Sequence, residues 1–298
     1  MEFFLKTKLY FKNYLKGFKN YFRNFKIFNH GHGFKTILKL YFRVYQCFFK
    51  NSIMAESQYR LSFFLLIWFN FGWALVYIFL YVFIFKFVDQ VGDWNYQRSL
   101  VLAATFLLVR ALNSFLFKQN FQNFADLVYR GDLDFILIKP ISSQFMVSLK
   151  KFYLRPFVRF IFAWLVLITV LVQNQIKLNI ILVISYLLLL LISVIIVYSL
   201  WFISCCLVFW LGNIDNIHEV FQPVLRLTAL PFDILPGVLK ELFFLVIPLV
   251  FITTMPAKSL LGLLSWAACV YGFFISLVLF YLSAKVWHLA LKYYVSAA

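Results

Sequence analysis

From Ile180 to Leu211 the chain carries no charged residue. At 1.5 Å per residue, roughly 30 helical residues cover about 45 Å, more than the ~30 Å hydrocarbon core of a bilayer. A segment so long and so apolar belongs in a membrane or in a very large core. Of the 298 residues, 64% are hydrophobic, 22% aromatic and 13% charged, and the mean hydropathy is +0.87. One aqueous core cannot hold that much apolar surface. The sequence therefore predicts an all-α integral membrane protein. Six spans of about 20 residues use roughly 120 positions and leave too little for a separate globular catalytic domain.

The expected spans lie at about 61–85, 100–117, 160–172, 180–211 and 260–286, with a less regular one between the last two. Residues 212 to 256 hold Asp215, Glu219, Arg226, Asp233, Lys240 and Glu241, and are broken by Pro223, Pro231, Pro236, Pro248 and Pro256. Irregular backbone at membrane depth is tolerated where protein or a wet cavity shelters it. The favoured reading is a short fifth span at 216–234 followed by a re-entrant outer hairpin at 237–255. The simpler alternative places the fifth span at 241–257.

Charge orients these spans. The formal net charge is +17, and residues 1 to 50 contain eleven Lys and Arg against the single acid Glu2. At about 100° per residue, Lys8, Lys12, Lys16, Lys19, Arg23 and Lys26 form one stripe with Phe11, Tyr14, Phe18, Phe22 and Phe25 opposite. After the NHGHG break, Lys35, Lys39, Arg43 and Lys50 repeat the pattern. The expectation is a basic extension at 1–30 and an interfacial helix at 34–57, both resting on anionic lipid, followed by a six-span membrane domain at 58–290. No short apolar run with a small-residue cleavage site marks a signal peptide, so the leader is expected to stay on the chain. With six crossings, 22 Lys and Arg share the side of the termini and five face the other. Both termini are therefore expected to be cytoplasmic in the cell membrane, and the basic excess speaks for lipid rather than nucleic acid.

Signatures of chemistry are absent. None of the ten glycines begins a GxxxxGK[ST] loop, and there is no GxSxG or HExxH. His30 and His32 lack a third ligand nearby, and the cysteines Cys47, Cys205, Cys206 and Cys269 read as reduced packing residues. No catalytic, cofactor or metal site is expected. Arg110 is the isolated charge well inside a span, either a functional group or a residue that snorkels or bonds Asn113.

The loop 124–145 is the most informative stretch. Gly131 ends one helix, Asp132 is placed to cap the next and Pro140 stops it, so Leu133 to Ile138 form an apolar turn displayed in the cytosol. Its run Gly131, Asp132, Leu133, Asp134, Phe135, Ile136, Leu137, Ile138, Lys139, Pro140 resembles the G-x-L-D-x-x-L-x-K-P loop of one exporter branch of type-2 ABC transporter permeases. Tyr59 and Arg60 before the first span, Phe209 and Trp210 ending the fourth, and Ile247, Pro248, Pro256 and Ala257 in the outer segment add to the likeness, which covers about residues 38–290. The resemblance implies two permease chains, identical or homologous, with two separate ATPase subunits. ATP and Mg would then bind the partner, with Gly131, Asp132, Leu133, Asp134, Leu137, Lys139 and Pro140 at the docking loop. The rival readings are a secondary transporter, disfavoured by the shortage of ionisable groups in the spans, and a non-transporting scaffold or insertion factor.

Overall fold

The computed structural model describes residues 34–57, 60–173, 179–212, 217–235, 237–245 and 247–295. The basic stripe at 1–30, His30, His32, Tyr59 and Pro236 lie outside them. The described chain is helical apart from a small hairpin. In order, it forms α1 (Phe34–Ser57), α2 (Arg60–Phe87), the strands Gln90–Val91 and Trp94–Asn95, and α3 (Tyr96–Asn113). There follow α4 (Ser143–Leu149), α5 (Phe157–Gln173), α6 (Ile180–Cys206), α7 (Gln222–Leu227), α8 (Gly237–Leu245), α9 (Thr254–Leu260) and α10 (Trp266–Tyr293).

Among the described residues three stretches are long and apolar enough to cross a membrane: Tyr96–Tyr129, Ile180–Leu211 and Trp266–Tyr293. The second expected span thus runs past Phe117. A π-helical turn at Ser114–Lys118 carries α3 on through Gln119–Gln122 and Phe124–Tyr129. The last helix begins at Trp266 rather than 260, because α9 is a separate element closed by Gly262 at φ 69° and Ser265 caps α10 by accepting from the Ala268 N–H. Shorter apolar helices cover Phe71–Phe87 and Phe157–Gln173.

The central helix is α3, buried continuously from Val101 to Val109. A helix apolar on all sides is stable only when other helices or lipid surround it. Thr105 meets Tyr186 of α6, while Tyr198 of α6 packs against Phe117 and Phe121 on the α3 extension. Helix α6 therefore runs parallel to α3. The pairs Tyr198–Phe280, Phe202–Trp287 and Trp210–Tyr293 set α10 parallel to α6 in turn. All four cysteines are free; Cys205 and Cys206 are buried, but Cys47 is exposed and is not a packing residue.

Between Gly212 and α10 the described residues form no long helix. A 3-10 turn at Ile217–Glu219, α7, a turn at Phe232–Ile234, α8, a turn at Leu249–Phe251 and α9 follow one another. The expected fifth span at 216–234 is thus not a continuous helix; Pro223 and Pro231 interrupt it. Helix breaks leave carbonyls without internal partners, and side chains from neighbouring elements take them up. Trp201 Nε1 donates to His218 O at 2.8 Å, Tyr81 to Ala229 O, Thr253 to Thr228 O at 2.5 Å and Ser193 to Phe251 O at 2.8 Å. The Phe251 ring fills the place of a side chain on Gly272, where a Cβ would sit 2.6 Å from it.

The two ends of the stretch 233–258 meet. Lys258 Nζ lies 2.7 Å from Asp233 Oδ2, and Trp94 Nε1 of the hairpin donates to the same oxygen at 3.1 Å. Removing one member of a mostly buried ion pair strands the other charge, at a cost of about 3–5 kcal/mol, whereas replacing both by apolar groups is far milder. Lys258→Met and Asp233→Leu are each expected to lower the thermal midpoint of the purified protein by several degrees, with the double variant recovering most of the loss. Single variants as stable as the parent would show that the pair does not hold this region.

Candidate functional site

The loop after the α3 extension is tightly folded. Gly131 adopts φ 75°, a conformation most side chains disfavour, and lets the Leu133 N–H return to Leu127 O at 3.0 Å. A four-residue helix, Asp134–Leu137, follows and stops ahead of Pro140. Its exposure pattern differs from the expected one. Leu133 and Ile136 are buried at 0% and 2%, Leu137 packs partly inside, and the residues displayed are Phe135 and Ile138 at 66% and 70%. Asp132 is exposed but supplies no side-chain cap, because the capping position falls on Leu133. Lys139 and Pro140 are exposed, and Asp134 is half-buried in the first turn.

The returning limb is fastened to the bundle by polar contacts. Gln144 Nε2 donates to Tyr198 Oη at 3.0 Å and to Ser283 Oγ at 3.2 Å, so one side chain ties α4 to both α6 and α10. Ser148 and Tyr198 are 3.0 Å apart, and Trp287 Nε1 donates to Ser143 Oγ at 3.0 Å. Asn120 exchanges two bonds with the Lys151 backbone, at 2.7 and 2.9 Å. On the outer side α1 closes over the limb: Ser52 Oγ accepts from the Phe152 N–H at 2.9 Å, Tyr41 from the Ser142 N–H at 3.2 Å, and Tyr45 and Phe49 pack on Phe152. The loop is therefore fastened to α1, α6 and α10 as well as to the helices it directly connects.

Arg110 does not bond Asn113, whose amide donates to Val109 O instead. Its guanidinium donates to Tyr77 Oη at 3.2 Å and lies over the Tyr77 and Phe106 rings, with its carbon 5.9 and 5.7 Å from their centroids. It also borders a cleft of about 270 Å³ lined by Ser114, Lys118, Gln122, Tyr153, Arg159, Glu219 and Arg226, among others. Lys118, Arg159 and Arg226 were not singled out from the sequence. A partial signal existed, since Arg110, Ser114, Lys118 and Gln122 recur every fourth residue. In a regular α-helix such a series rotates by about 40° per step, and the wider π-helical turn takes up part of that rotation. Arg159 from α5 and Arg226 from α7 join only through the tertiary fold.

The family model for ABC-2 family transporter protein matches residues 71–298, about three-quarters of the chain. The chain belongs to the ABC-2 transporter family. As a member it is a transport permease, the membrane component of a system whose ATPase site lies elsewhere, and the family typically works with an ATPase subunit. Comparison with curated proteins and with solved structures gave no match. In this permease Pro231, Pro248 and Pro256 are all buried in the broken region, Pro231 in extended backbone ahead of Phe232–Ile234 and Pro256 within α9.

The polar clamp on α4 has a local consequence. Tyr198→Phe keeps the ring but removes the hydroxyl that Gln144 and Ser148 share, leaving buried polar groups without a partner at a cost of about 1–3 kcal/mol. Limited trypsin digestion is expected to cut between Arg130 and Lys151 several-fold faster in Tyr198→Phe than in the parent, with the rest of the fold intact. Equal rates would show that the limb is held by other contacts.

Proposed function

We propose that this permease is the membrane-spanning subunit of an ATP-driven exporter, docking a separate ATPase through the 124–145 loop. The observation that carries the reading is the pair Phe135 and Ile138, two large apolar side chains presented side by side on a loop fixed to α6 and α10. Apolar surface held rigidly outward favours association with a partner. Leu133, Ile136 and Leu137 then serve as the packed base of the knob, and Gly131 and Pro140 fix its ends. ATP and Mg belong to the partner ATPase, and this chain contributes no cofactor.

The chain crosses the bilayer six times in this reading, with both termini in the cytoplasm of the cell. Residues 216–234 cross once as a broken span, and 237–255 enter and leave on the outer side as a re-entrant hairpin flanked by Pro231, Pro236, Pro248 and Pro256. The ion pair between Asp233 and Lys258, at the α2–α3 hairpin, supports that geometry. A second permease, identical or homologous, completes the path, and the basic leader rests on anionic lipid. Closure of the ATPase pushes the knob, and the clamp at Gln144 passes the push to α6 and α10.

Replacing Phe135 and Ile138 together by Asp is expected to reduce ATPase capture on copurification at least ~30-fold, the equivalent of about 2 kcal/mol at an interface hot spot, with the thermal midpoint unchanged. Leu133→Asp is expected to destabilise the turn itself, because that side chain is buried. Full ATPase capture by the double variant would remove the proposed docking site.

A further inference from the structure

The basic cleft has a charge balance that the fold alone does not account for. Arg110, Lys118, Arg159 and Arg226 line it, and Glu219 is the one carboxylate among the lining residues. The four cations repel one another: Arg110 acts against Arg159, Arg226 and Lys118, and Arg159 acts against Lys118. Glu219 offsets one charge through Lys118 and also lies 3.9 Å from His218 Nε2. Arg110, Lys118 and Arg159 are part-buried, where water screens such repulsion poorly. Four cations gathered round a single carboxylate in one cleft make a strongly positive site, which points to an anionic ligand.

The geometry narrows the ligand. The cleft is slightly smaller than the ~300–1,000 Å³ of pockets that enclose a whole drug-sized molecule, so it suits a headgroup. Beyond Arg110 the space narrows to an apolar crevice between Phe106, Trp201, Leu225 and Ile252, with about 10 Å³ free. That is roughly one water, so a bound group stops at Arg110. Three guanidinium groups and one ammonium match a compact, multiply charged oxyanion with several acceptor oxygens. Ser114, Gln122, Tyr153 and Gln222 add neutral hydrogen-bonding groups around it.

We propose that the cleft bounded by Arg110, Lys118, Arg159 and Arg226 binds a multiply charged phosphate headgroup, a phosphomonoester rather than the zwitterionic phosphodiester of phosphatidylcholine. On the exporter reading above, phosphate-bearing amphiphiles are then the class of cargo. The binding itself requires only this chain, so its failure is separable from failure of ATPase docking.

The test uses the full chain in nanodiscs of zwitterionic phosphatidylcholine and follows thermal unfolding, since a ligand that binds the folded state raises the midpoint by mass action. One arm adds phosphatidic acid to the disc and the other adds inorganic phosphate to the buffer. A rise in both arms marks recognition of phosphate from either source, and a rise with phosphatidic acid alone marks the membrane headgroup; both support the proposal. The Arg159→Gln, Arg226→Gln double variant is expected to weaken binding at least tenfold. Glu219→Gln removes the competing carboxylate and is expected to bind several-fold more tightly, a gain that a misfolded variant cannot mimic. No rise in either arm, or equal rises in the parent and both variants, would overturn the site.

Discussion

A polypeptide that abandons helix inside an apolar environment must find partners for every backbone group it frees, and the stretch between Gly212 and Gly262 lives under that constraint. Its partners come from the helices around it: Trp201 and Ser193 of α6, Tyr81 of α2, and Thr253 within the stretch. Each contact fixes a neighbouring helix as firmly as it satisfies the broken one. The ion pair between Asp233 and Lys258, with Trp94 on the same carboxylate, closes the stretch at the α2–α3 hairpin. The other end of the same stretch supplies Glu219 and Arg226 to the basic cleft. Irregular backbone and candidate ligand site are therefore parts of one arrangement.

The loop and the cleft are also mechanically linked. Helix α3 supplies Arg110 to the cleft and its extension adds Ser114 and Lys118, then Asn120 to hold the returning limb, then the helical turn that precedes Gly131. A π-helical turn, Ser114–Lys118, lines the cleft and leads toward the loop. Such turns are rare and concentrate at functional sites. A push at Phe135 and Ile138 has a short, packed route to the arginines, through one helix and through the Gln144 clamp.

Much of the helical architecture was legible in the sequence because a charge-free run as long as Ile180–Leu211 admits few solutions. The broken region was legible only as broken. Prolines show where helix stops, but the partners of the freed carbonyls lie 17 to 148 residues away in the chain. At the loop, Gly131 and Pro140 marked the turn correctly, while periodicity over a single turn could not tell which apolar side chains face out. The positive φ at Gly131 rotates Leu133 inward and leaves Phe135 and Ile138 on the surface. Arg110 stands out as a lone charge in an apolar run, whereas Arg159 and Arg226 carry no signal of their own in the sequence and join it only where the fold places α5 and α7 beside α3.

The central claim is that the chain crosses once between residues 216 and 234 and then turns back, putting α8 and the docking loop on opposite sides of the membrane. Cysteine labelling in intact cells tests it most directly, in a background where Cys47, Cys205, Cys206 and Cys269 are replaced. With an impermeant thiol reagent, Lys240→Cys is expected to label in intact cells, and Ile138→Cys only after permeabilisation. Protection of Lys240→Cys in intact cells, with labelling only once the membrane is opened, would place α8 in the cytoplasm and contradict the account.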